Sequence, residues 1–130
     1  LEEDQKRRIH QQLHKVMENE RLYLDAHLTL GTLAKKLGVN TKYVSQVINE
    51  MEEQNFMDFI NQKRIKRAEE MLVGPTFSQY TILAIAHEVG FNSKSAFYTA
   101  FKKFTGHTPT TYRKAKTVQI QESERPDSGI

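Results

Sequence analysis

Two sets of polar side chains, 52 residues apart, carry the recognisable chemistry of this chain. The first is Lys42, Ser45, Gln46 and Asn49; the second is Lys94, Ser95, Tyr98 and Thr99. The amides of Gln46 and Asn49 both donate and accept, which matches N6 and N7 of adenine. Lys42 and Lys94 can donate to guanine, Ser95 to either kind of base, and the Thr99 methyl can meet a thymine methyl. Thr41 and Ser93 stand at helix starts, where a hydroxyl and free N–H groups suit phosphate oxygens, and Lys102 adds a cation for the same backbone. This is the chemistry of reading a duplex.

Those side chains need a scaffold, and the sequence repeats one. Residues 30–42 (LGTLAKKLGVNTK) and 82–94 (ILAIAHEVGFNSK) align in register. Leu33 falls on Ile85, Ala34 on Ala86, Leu37 on Val89, Gly38 on Gly90, Asn40 on Asn92, Thr41 on Ser93 and Lys42 on Lys94. Each copy reads as a helix, a tight turn at a glycine and a second helix: a helix-turn-helix, whose second helix lies in the major groove while the first braces it. The glycine tolerates the positive φ of such a turn, and the small Ala34 and Ala86 let the two helices approach closely. In the first recognition helix Val44, Val47, Ile48 and Met51 form the expected buried stripe; in the second, Ala96, Phe97, Ala100, Phe101 and Phe104 do.

The 3.6-residue apolar period runs through most of the chain, so the expected fold is all-α, about seven helices. A first helix is predicted over 7–24, with Ile9, Leu13, Val16 and Met17 on one face. Helix two spans 30–37 and stops at Gly38; Asn40 caps helix three, which runs to about Glu53. A long helix covers 56–73 and ends at Gly74-Pro75. Helix five spans 82–89. Asn92 is expected to cap helix six as Asn40 caps helix three, and that helix ends at Gly106. Pro109 opens a short last helix ending near Lys114. The expected division is an N-terminal helix over 1–24, a double helix-turn-helix domain over 25–115 and a disordered tail over 116–130.

Charge follows the repeat. Residues 30–115 hold 12 Lys/Arg against 7 Asp/Glu, a balance of +5, while the segments on either side are each at −1. A nucleic-acid footprint has this distribution. There is no cysteine, hence no disulfide, thiolate zinc site or cysteine nucleophile. No apolar run reaches the roughly 18 residues of a membrane span. The chain begins at Leu1, from which we expect a piece of a longer protein whose remainder includes a sensor.

The residues Gly90-Phe91-Asn92-Ser93-Lys94-Ser95-Ala96-Phe97, then Phe101-Lys102-Lys103, Gly106-His107-Thr108-Pro109 and Tyr112-Arg113 resemble the C-terminal signature of the AraC/XylS family of bacterial transcription regulators. Ile60-Asn61, Arg64-Ile65, Ala68 and Leu72 resemble that family's linker helix. The resemblance covers roughly 22–114. It implies two helix-turn-helix subdomains joined by a long helix, with both recognition helices entering successive major grooves of double-stranded DNA. By position it implies base reading by Lys42, Ser45 and Gln46, and by Lys94, Ser95, Tyr98 and Thr99, with Arg113 at the DNA backbone. Thr99 departs from the pattern, in which a basic residue often stands. RNA polymerase is the further partner implied. The location implied is the cytoplasm, alone or as the cytoplasmic part of a larger, membrane-anchored regulator.

Other chemistries find less support. His10 and His14 are spaced i, i+4 and could share a metal, but the sequence shows no third ligand, so no metal and no cofactor are expected. His27, His87 and His107 stand alone. There is no phosphate loop and no serine elbow. Alkyl-transfer repair proteins that carry this domain need an acceptor cysteine, absent here. The expectation is therefore a non-enzyme without a small-molecule site. The rival reading is a helical protein-interaction module without specific DNA readout. RNA ranks lower, because only Tyr43 and Tyr98 offer outward rings for stacking.

Overall fold

A computed structural model describes the backbone of residues 1–124 and the side chains of residues 1–116. Among the described residues there are seven α-helices and no strand: α1 (Glu3–Asn19), α2 (Leu30–Leu37), α3 (Thr41–Met51), α4 (Phe56–Val73), α5 (Ile82–Glu88), α6 (Lys94–Thr105) and α7 (Pro109–Glu124). Short 3-10 turns lie at Leu22–Leu24 and Pro75–Phe77. The chain divides within α4 into two compact units, Leu1–Arg64 and Ile65–Ile130.

The first unit is built on mainly aliphatic packing, with Phe59 as its buried ring. α1 lies against α2 and α3, and α2 against α3. Leu13, Met17, Leu33, Ala34, Val44, Ile48, Phe59 and Ile60 form its buried cluster. The helix expected over 7–24 is thus corrected to 3–19. It starts earlier than its apolar stripe because the Gln5 side chain accepts from the Glu2 N–H (3.1 Å) and Glu3 and Asp4 complement the positive end of the helix. It stops earlier because Arg21 adopts a left-handed conformation (φ 50°), and the chain then tucks Leu22 and Tyr23 against the cluster. α1 packs on the first helix-turn-helix, since Leu13 and Met17 belong to the same core as α2 and α3.

The second unit has an aromatic core. Phe97 packs between Phe91 (centroids 5.3 Å apart) and Phe101 (5.6 Å), and Phe101 meets Tyr112 of α7 at 5.3 Å. These tilted and edge-on contacts are the arrangements that ring quadrupoles favour. α7 runs well past Lys114, so residues 116–124, expected as part of a disordered tail, are helical. Between Pro109 and Glu124 there is neither glycine nor further proline, and once a helix is nucleated each added residue costs little. The remainder of the expected tail, 125–130, lies outside the described residues.

Candidate nucleic-acid interface

The two repeated turns are the same object built twice. In each, the glycine N–H bonds the carbonyl three residues back, Gly38 to Lys35 and Gly90 to His87, both at 3.1 Å. In each, the next residue reaches five back, Val39 to Ala34 at 3.1 Å and Phe91 to Ala86 at 2.9 Å. These bonds close the end of the bracing helix in the Schellman manner and need a residue at positive φ, supplied by Gly38 (70°) and Gly90 (101°). The repeat extends one residue further upstream than the apolar pattern suggests. Thr29 and Thr81, also 52 apart, each cap a bracing helix by accepting from the N–H three residues on.

The symmetry breaks at the start of the recognition helices. Asn40 caps α3 as expected, its Oδ1 accepting from the Lys42 N–H at 2.8 Å. Asn92 does not cap α6. Ser93 does, with extended backbone and its Oγ accepting from the Ala96 N–H at 3.1 Å. Ser93 Oγ therefore already serves its own helix.

Val44, Val47 and Ile48 bury the inner stripe of α3, while Met51 is only half-buried. In α6 the buried stripe is Phe97, Ala100 and Phe101; Phe104 is half-buried, and Ala96, expected inside, is exposed. The first turn of α6 thus projects from its unit, which leaves a broader free face at the end of the helix that would enter a groove.

On the outer faces, Thr41, Lys42 and Asn49 of α3 and Lys94, Ser95, Thr99 and Lys102 of α6 are exposed, while Ser45, Gln46 and Tyr98 are half-buried. Gln46 donates from Nε2 to Glu50 Oε1 at 3.1 Å, and Glu50 is paired with Lys6 of α1 at 2.7 Å. That relay holds the Gln46 amide before any ligand arrives. Tyr98 shares a hydrogen bond with Thr110 (2.9 Å), and the Lys94 ammonium lies 5.3 Å from the centre of its ring.

Arg113 makes internal contacts that the sequence did not show. Its Nε donates to the Leu72 carbonyl (3.0 Å), Nη1 to Tyr80 (2.6 Å) and Nη2 to Phe77 (3.0 Å). Three of its five N–H donors thus pin the loop before α5 to the end of α4. Arg64, buried at 5% exposure, does the corresponding work in the first unit. Its Nε donates to the Tyr23 carbonyl (2.6 Å) and Nη2 to that of Asp25 (2.9 Å). The accepting carbonyls of Asp25 and Phe77 are again 52 residues apart. No local pattern signals these clamps, because donor and acceptors are some 40 residues apart in the chain.

The structure also supplies what the sequence did not show for His10 and His14. Glu52, the residue that closes α3, brings its carboxylate to both rings. No helix among the described residues is long and apolar enough to cross a membrane.

Comparison with known proteins agrees with this construction. A family profile described as a helix-turn-helix domain matches residues 33–115. The Msm operon regulatory protein of Streptococcus mutans is 32% identical over 87 residues, covering 67% of this chain and 30% of that protein. The chain thus spans under a third of that relative's length. Among solved structures, the C-terminal domain of AraT, a response regulator from Geobacillus stearothermophilus, superposes with a TM-score of 0.71 at 28% identity, covering 95% of this chain and 91% of that one. The C-terminal domain of the two-component response regulator yesN from Fusobacterium nucleatum gives 0.66 at 30% identity, covering 85% and 98%. With the doubled turn, the long shared helix and the matched residues together, the chain belongs to the AraC-type helix-turn-helix family.

Proposed function

We propose that this chain is the DNA-reading part of a transcription regulator, and that α3 and α6 each enter a major groove of one duplex. The observation that carries the reading is the twice-built helix-turn-helix, in which each second helix buries an apolar stripe and leaves lysine, serine and amide or hydroxyl groups outside. Lys42, Ser45, Gln46 and Asn49 read one element; Lys94, Ser95, Tyr98 and Thr99 read the other. Thr41, Ser93 and Lys102 face phosphates, Ser93 through the helix start it caps. Binding, not bond-making, is its task. The regulator we propose has further regions that sense a signal, acts in the cytoplasm and has RNA polymerase as its output partner; of these, the greater length of the relatives supports the further regions.

The test is selection of bound sequences from a random duplex pool by the 130-residue chain. It should return two short elements about one helical turn apart. Gln46→Ala should relax preference in one element by about 1–3 kcal/mol per base pair read, and Lys94→Ala in the other. Loss of preference at the same base pairs in both variants would refute two-groove reading. Failure to bind any duplex at low salt would favour the protein-interaction reading.

A further inference from the structure

α1 and the C-terminal end of α3 meet where three Lewis bases face one another. Nε2 of His10 and Nε2 of His14 are 3.0 Å apart, and both lie against the same Oε1 of Glu52, at 2.8 and 2.7 Å. The i, i+4 spacing puts the two imidazoles on one face of α1, a turn apart. Glu52 ends α3, followed at once by Glu53 in the left-handed conformation (φ 55°), so the carboxylate is held at the helix terminus instead of on a mobile loop.

Protons alone do not satisfy this triangle. A carboxylate brings no donor, and each imidazole presents at Nε2 either one N–H or one lone pair. If both carry N–H, both can donate to Glu52, but the two N–H groups then oppose one another at 3.0 Å. If only one carries it, the lone pair of the other ring faces the carboxylate oxygen. Every assignment leaves one repulsive edge. A single cation among them accepts a lone pair from each group, so that no edge needs a donor.

We propose that His10, His14 and Glu52 form a site for one divalent transition cation of the zinc class, with the remaining coordination completed by water. Imidazole nitrogen and carboxylate oxygen are the donors such ions take, at about 2.0–2.2 Å. Tetrahedral geometry at those lengths separates ligand atoms by roughly 3.3 Å, so the triangle opens by about half an ångström. Small side-chain rotations accomplish this, because the three side chains are 24%, 37% and 24% exposed. The same exposure gives the ion an entry path and leaves a position for water. The ion would tie α1, which lies outside the matched family region, to the helix that carries Gln46.

Cobalt(II) absorption and zinc(II) calorimetry on the 130-residue chain test the site. We expect one ion per chain, visible cobalt bands in the range of nitrogen and oxygen ligands, and a rise in melting temperature with zinc. His10→Gln, His14→Gln and Glu52→Gln should each weaken binding at least tenfold and abolish the thermal shift, with circular dichroism checking that each variant folds. Exchange of His27, His87 and His107 together for Gln should leave affinity unchanged. If the triple variant loses the ion while His10→Gln and His14→Gln keep it, or if the wild type binds no more tightly than His10→Gln/His14→Gln, the proposal is overturned. A variant that fails to fold is replaced by paramagnetic mapping on the wild type: cobalt must broaden the His10 and His14 ring signals first, and broadening elsewhere first also overturns it.

Discussion

Arg113 and Lys102 separate two ways in which a cation serves this kind of domain. Lys102 is exposed on the outer face of α6, whereas the Arg113 guanidinium is divided among three carbonyls. Replacing Arg113 with Ala should therefore lower stability by about 1–3 kcal/mol, because carbonyls near the surface regain only part of what they lose from water. It should leave the salt dependence of DNA binding unchanged. Lys102→Ala should do the reverse, reducing the slope of log K against log salt by about 0.9 with little change in melting. Chemical denaturation and a salt titration on the same two variants decide between these roles; a flattened slope in Arg113→Ala would restore it to the phosphate backbone. Tyr112 makes a second prediction at this scale. Burial, with its hydroxyl donating to Glu69 Oε2 at 3.0 Å, raises its pKa to about 12. The folded protein thus holds this proton more tightly than the unfolded chain does. The resulting stability is full below about pH 10, the ordinary tyrosine value, and is lost as pH climbs towards 12. An alkaline absorbance titration should show a late tyrosinate component near pH 12 that Tyr112→Phe removes.

Among the elements, the repeated turn is the feature most exposed to test. Gly38 and Gly106 both end helices in the left-handed region, at φ 70° and 79°, and a Cβ built at either would meet no atom within 4 Å. Any cost of substitution is then backbone conformation alone. Gly38→Ala should destabilise by about 1–2 kcal/mol, and Gly38→Asn by less, because Asn tolerates that region. Equal melting of all three proteins in a thermal scan would mean that the turn relaxes to another conformation. The helix caps carry a related lesson. Register alone equates Asn40 with Asn92, yet Ser93 takes the second cap. Both residue types are strong caps, and two competent residues side by side leave the sequence ambiguous by one position.

At the scale of the whole molecule, two units with different cores share one helix. Ile48 is fully buried in a mainly aliphatic cluster that includes Phe59 in the first, and Phe101 among rings in the second. Large-to-small exchange at such sites costs about 2–5 kcal/mol. Ile48→Ala should accelerate amide exchange most in α2 and α3, and Phe101→Ala most in α5 and α6. Uniform acceleration across all helices in both variants would show a single cooperative unit in place of two.

The sequence by itself determined what depends on near neighbours. Apolar spacing of three and four residues, with glycine and proline punctuation, placed α2 and α4 closely, because packing faces repeat with the helical turn. Gly38, Asn40 and Gly106 marked ends whose chemistry is confined to one turn of chain. The outward positions of Lys42, Asn49, Lys94, Ser95 and Thr99 followed from the same stripes. The tertiary structure alone decided which distant groups meet. Arg64 finds carbonyls 41 and 39 residues away, Arg113 finds its own 41, 36 and 33 away, and Glu52 finds His14 and His10 at 38 and 42. Periodicity tells which face of a helix turns inward, but not which residue of another helix stands opposite. That depends on how ridges of side chains interlock at each crossing. A polar side chain such as Arg113 therefore looks alike in sequence whether it faces a phosphate or three carbonyls of its own fold.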